Sequence, residues 1–159
     1  MNKSGHAVAA LEERGFRLAK KPKVDIPDLP RDITDLHDDD LMDLFVQFTG
    51  WTDHLSSQLA IAAIDEREAD RSVSAAESQA MLANWKGGTG DRIAVVKAQI
   101  SIDPVVQELT KDLDEKYAYR KLLETLYQNV ERDSAVVSRE LTRRTSDGGF
   151  NARKRKFTT

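Results

Sequence analysis

The residues of this 159-residue chain that could do chemistry are few, and their spacing suits catalysis poorly. His37 precedes Asp38, Asp39 and Asp40, a set of donor types that can ligate a divalent cation. The same run stands where a helix begins, with Thr34 or Asp38 able to cap it. Acidic first turns complement the positive end of a helix dipole, which accounts for the aspartates without a metal. His54 follows Asp53 directly, so on a helix the two side chains point apart. Asp65, Glu68 and Asp70 lie close in sequence but lack the Glu-x-x-His partners of a di-metal helical site. Arg67 and Arg71 interleave them, as on a solvated, salt-bridged face. The third histidine, His6, stands alone near the N-terminus. No cysteine is present, so there is no thiolate ligand and no disulfide framework. The chain reads as non-enzymatic, with no catalytic residue, metal ligand or cofactor.

The basic residues are more informative. A net charge of −3 hides an asymmetry. Residues 1–24 hold six Lys/Arg against two Glu, residues 25–137 eleven against twenty-three acids, and residues 138–159 seven against two. Two basic arms flank an acidic middle. Arg139, Arg143 and Arg144 fall at helical spacing. Arg153, Lys154, Arg155 and Lys156 follow, with Phe150 and Phe157 alongside. Such a pattern meets phosphates with cations and bases with rings. Lys86, Arg92 and Lys97 form a second candidate patch. Against this, Lys and Arg also keep flexible tails solvated, and Arg139 to Arg144 suit a helix C-terminal dipole.

The sequence around these groups has a helical pattern. HAVAALEERGF suggests a short helix stopped at Gly15, with Leu11, Phe16 and Leu18 as docking residues. Pro22, Pro27 and Pro30 then impose an irregular segment. From about Asp39 to Trp85 there is no proline and one glycine, Gly50. Leu41, Phe48, Leu55, Ala62, Ala69, Ala76 and Ala83 recur at sevens, with Leu44, Trp51, Leu59, Val73 and Ala80 as a drifting second seam. A helix over this span would be ~70 Å long. Gly87, Gly88 and Gly90 break it, without the GxxxxGK[ST] spacing of a phosphate-binding loop. RIAVVKAQISI reads as helix or extended lead-in, with Val95 and Ile102 joining the next heptad series. Asp103-Pro104 is an N-cap with proline at the first helical position. A second long helix follows to about Thr145. Leu109, Leu123, Val130 and Val137 form one seam, and Val106, Leu113, Tyr119, Leu126 and Leu141 the other. Lys116 breaks the first series as a surface residue whose stem covers apolar area.

The expected architecture is all-α. Residues 1–34 form a basic, proline-containing arm, 35–145 an antiparallel hairpin of two long helices, and 146–159 a basic tail. Apolar residues outside the hairpin stripe need a second partner, which implies a homo-oligomeric bundle or ring. The candidate interface is Phe45, Phe48, Trp51, Ile61, Leu122 and Tyr127. No apolar run approaches the ~18 residues of a membrane span, and the N-terminus lacks a secretory signal pattern. A cytoplasmic protein without membrane contact is expected.

Three motifs carry a family resemblance. A long helix ends in Asn84-Trp85-Lys86-Gly87, followed by Gly90-Asp91. A K-x-x-x-S-x-D-x-x-V lead-in is met by Lys97, Ser101, Asp103 and Val106. A second long helix has Tyr117 and Tyr119 near its start and a basic, glycine-containing end. Over roughly residues 40–150 the chain resembles the phage UvsY-type recombination mediators. The resemblance implies a homo-oligomeric ring of about seven subunits on single-stranded DNA. It also implies displacement of single-strand binding protein, loading of a RecA-like recombinase, and a bacterial host cytoplasm. Relatives carry Lys or Arg on the last turns of the first helix, where this chain has Ser78, Gln79 and Met81. Its DNA contacts therefore shift to Lys86, Arg92, Lys97 and the tail. The alternative is a phage structural, assembly or adaptor protein whose hairpin oligomerises and whose arms dock protein partners. A compact helix-turn-helix for duplex DNA is not found.

Overall fold

The computed structural model describes residues 2–85 and 93–156, with side chains for residues 2–85 and 93–146. Its elements are α1 (Lys3–Glu13), a 3-10 turn (Ile33–Asp35), α2 (Asp38–Asn84), α3 (Ile93–Ser101) and α4 (Pro104–Lys156). Among the described residues there is no strand. The chain forms two compact units, one from the described residues of Met1–Arg17 and Gln58–Leu123, the other from those of Leu18–Ser57 and Glu124–Thr159.

The first unit is built on small residues. Ala62, Ala69, Val73, Ala76 and Ala80 of α2 are buried. Ala76 and Ala80 cluster with Val96 and Ile100 of α3 and Val106 of α4, and Leu109 packs on the cluster. Alanine removes little apolar area from water, so polar links add to the hold. Arg120 of α4 makes a two-pronged ion pair with Glu66 of α2, its Nη2–Oε1 contact being 3.3 Å.

Helix α1 belongs to this unit. The Asn2 side chain caps it by accepting from the Gly5 amide at 3.0 Å. Its end is a Schellman turn: Phe16 donates to the Leu11 carbonyl and Gly15 to that of Glu12, with Gly15 at φ +85°. The expected stop at Gly15 is therefore found. Leu11 and Phe16, expected to dock on a neighbour, are exposed, and Leu18 is half-buried. The helix is held at its other end, where Ser4 is buried, Asn2 donates to Asp65 at 3.1 Å and the Lys3 amide donates to Glu68 at 2.9 Å. Asp65 and Glu68 are thus engaged by the start of α1.

Between α3 and α4 the chain turns at Asp103. Its carboxylate accepts from the amides of Val105 (2.9 Å) and Val106 (3.2 Å), and Pro104 sits where no amide is needed. This turn corrects one expected register. Val95 and Ile102 are exposed, whereas Val96 and Ile100 are buried. A heptad count assumes one continuous helix, and the Asp103 break resets its phase. Tyr119 and Leu126 of α4, and Ala83 of α2, are likewise exposed rather than in the seam.

The second unit is bulkier. Leu41, Leu44, Phe48, Trp51 and Leu55 of α2 are buried, as are Val130 and Val137 of α4. Residues 19–24 lie over α2 as a strap. Trp51 Nε1 donates to the Val24 carbonyl at 3.1 Å, and His54 Nδ1 meets the Ala19 carbonyl at 3.0 Å. Lys21 Nζ lies 5.9 Å from the centre of the Trp51 ring, within cation–π range. Pro22 approaches Gly50, where an added Cβ would meet Pro22 Cγ at 3.7 Å. The one glycine of the α2 sequence pattern thus sits under the strap.

Helix α4 runs to Lys156, past the expected boundary at residue 146. No proline follows Pro104, and alanine, arginine and lysine beyond residue 150 favour helix. Gly148 and Gly149 lower helix propensity without removing a backbone donor.

Candidate nucleic-acid interface

Arginines on α4 separate into two kinds once their partners are known. Arg139 is exposed. Arg143 donates to Glu140 through Nε (2.8 Å) and Nη2 (2.7 Å), while most of its side chain stays in solvent. Arg144 is different, with a side chain only 19% exposed. Its Nε donates to Glu140 at 2.8 Å. Nη1 donates to the Leu36 carbonyl at 2.8 Å and to Asp38 at 2.6 Å. Nη2 donates to the carbonyls of Ile33 (3.3 Å) and Thr34 (3.1 Å). A guanidinium has five N–H donors, and here all five have acceptors. Expected as a phosphate contact, Arg144 instead fastens the segment before α2 to α4. A phosphate would have to displace bonds that already satisfy it.

Glu140 sits at the centre of this arrangement and is buried. Hydrogen bonds from Arg143 and then Arg144 hold its carboxyl down to about 2, against the opposing cost of burial. The Arg144 guanidinium is held above its ordinary value by the hydrogen bond to Glu140 and then that to Asp38. Neither change puts a titration near neutrality. The cluster is a fixed ionic joint, not an acid–base pair.

At the other unit, Lys97 of α3 is exposed beside a groove of about 420 Å³. The groove is lined by Glu77, Ser78 and Met81 of α2 and by Lys97, Ile100 and Ser101 of α3. One turn beyond Met81, Trp85 donates its amide to the Met81 carbonyl at 3.0 Å and leaves its ring half exposed. Lys86 and Arg92 lie outside the described residues. Arg153, Lys154, Arg155 and Lys156 are on the last turns of α4, and their side chains lie outside the described residues too.

The expected oligomer-interface residues also divide. Phe48 and Trp51 are buried in their own unit, so the chain's own core uses them. Phe45, Ile61 and Tyr127 are half-buried, and Leu122 is 72% exposed. His54 serves the strap and meets Trp51 edge-on, with ring centres 5.8 Å apart. Among the described residues no group of three or more His, Asp or Glu is placed to hold a metal.

Sequence reasoning missed the Arg144 joint, the strap and the groove. Glu140 lies four residues before Arg144, a visible ion-pair spacing. The backbone carbonyls of residues 33–36 leave no mark in side-chain identity. Gly50 inside an otherwise glycine-free helix was the available sign of a close approach.

No family model, curated protein or solved structure matches the chain.

Proposed function

We propose that the chain is a non-enzymatic, single-stranded-DNA-binding recombination mediator that helps a RecA-like recombinase load in place of single-strand binding protein. In this reading α2 and α4 form an antiparallel hairpin, and copies of it assemble into a homo-oligomer. The hairpin is supported by pairing order within each unit. In one, Glu66 pairs with Arg120 while the later Ala76 and Ala80 cluster with the earlier Val106. In the other, Asp38 at the start of α2 pairs with Arg144 in the last third of α4. The exposed Leu122, with Tyr119 and Leu126 at helical spacing, supports self-association.

The observation that carries the DNA reading is the exposed Trp85 ring one turn from the groove that Lys97 borders. A free ring offers a stacking face to any unpaired base, and a lysine offers a phosphate partner. Duplex DNA keeps its base faces stacked, so single strands are favoured. Arg139 and the basic end of α4 add charge.

The loss of Arg144 as a free cation favours a second reading, an assembly or adaptor protein that ignores DNA. Fluorescence anisotropy of a labelled single-stranded oligonucleotide at near-physiological salt, with unlabelled duplex as competitor, separates the two. Binding that duplex fails to displace, and that falls steeply with salt, supports the mediator. Absence of binding leaves the adaptor.

A further inference from the structure

The groove between α2 and α3 has a one-sided hydrogen-bonding character. Ser78 Oγ donates its proton to the Ser74 carbonyl at 2.8 Å, and Ser101 Oγ donates to that of Ala98 at 2.8 Å. Each hydroxyl has a single proton, so both present only lone pairs to the groove. Glu77 adds a carboxylate, which when ionised only accepts. Met81 and Ile100 supply apolar lining, and Lys97 is the one cation among the described lining residues. A volume of about 420 Å³ lies within the range of small-molecule sites.

From this pattern we infer that the groove is a base-reading subsite for an amino-bearing nucleobase of single-stranded DNA, with its phosphate on Lys97. The inference rests on the single-strand-binding reading and deepens it. The two hydroxyls and Glu77 accept only and so select N–H donors, while the Lys97 ammonium is left for phosphate. Cytosine and adenine present exocyclic amino groups, and a carboxylate accepting from the cytosine N4 amino group is an established pairing. Thymine offers a single ring N3–H, set between two carbonyl oxygens that repel Glu77 and find no donor among the hydroxyls. The apolar lining takes the base face. Lys97 supplies the charge that keeps Glu77 from repelling the strand as a whole.

The test compares labelled oligo(dC) and oligo(dT) of equal length by anisotropy, using the full chain and two variants. Cytosine and thymine have rings of the same size, so stacking differs little between the probes. The expected result is about fivefold to tenfold tighter binding of oligo(dC), with Glu77→Gln bringing the two within about twofold, because an amide both donates and accepts. Lys97→Met should weaken both probes alike and reduce the salt slope by about one. Glu77 and Lys97 are exposed, and circular dichroism checks that both variants keep their helices. Equal binding of the two probes by the full chain, or a dC preference that survives Glu77→Gln, overturns the base-reading groove and leaves the mediator standing. Failure to bind either probe overturns both.

Discussion

Gly50 offers a sharp test of how the strap is held. It is the only glycine in α2, and a methyl group there would meet only Pro22 Cγ, at an ordinary contact distance of 3.7 Å. Gly50→Ala therefore adds no clash. Alanine is favoured over glycine inside a helix by about 1 kcal/mol, partly by restricting the unfolded chain. The net expectation is a gain of about 0.5–1 kcal/mol, or about 2–4 °C in melting temperature per kcal/mol for a chain of this size. Gly50→Leu should behave in the opposite way. Carbons beyond Cβ must enter the space of Pro22 and lift residues 19–24. That breaks the Trp51–Val24 and His54–Ala19 hydrogen bonds, each worth about 0.5–1.5 kcal/mol. Urea unfolding followed at 222 nm measures stability, and tryptic cleavage after Lys20 and Lys23 reports strap release. An alanine variant less stable than the parent, or a leucine variant with unchanged cleavage, would refute the packing argument.

Three further predictions follow from the joint and the seams. The Glu140 carboxyl is lowered in the folded chain from 4.5 to about 2, so its contribution is complete above about pH 4.5 and is lost as pH falls toward 2; urea midpoints across that range should fall less steeply in Glu140→Gln. Arg144→Lys keeps the charge but loses the fork that reaches five acceptors, so amide hydrogen exchange of residues 33–41 should quicken while DNA affinity stays unchanged; slower or equal exchange would contradict the joint. On α3, Val96→Asp should cost more than about 2 kcal/mol in a urea melt, whereas Val95→Asp should stay within about 0.5 kcal/mol. The reverse ranking would mean that the heptad runs unbroken through Asp103.

Much of the helical architecture was legible in residue order. Leu41, Phe48, Leu55, Ala62, Ala69 and Ala76 are all buried as their spacing implied, because a helix presents every seventh residue to the same side. Gly15 and Asp103-Pro104 ended and began helices where expected, since positive φ and a missing amide are local properties of those residues. The site was less legible. Counting cations along α4 made Arg139 and Arg144 alike, yet one is exposed and the other has every donor occupied.

The difference is physical. Periodicity, capping and charge balance belong to neighbours in the chain, and they decide where helices form and which stripe each one buries. Arg144 meets carbonyls more than a hundred residues away, and Trp51 and His54 meet carbonyls of a strap about thirty residues away. A backbone carbonyl is the same whichever side chain it carries, so such partners cannot be read from composition or spacing. Only the tertiary structure decided which cations are consumed in holding the fold and which are left at the surface.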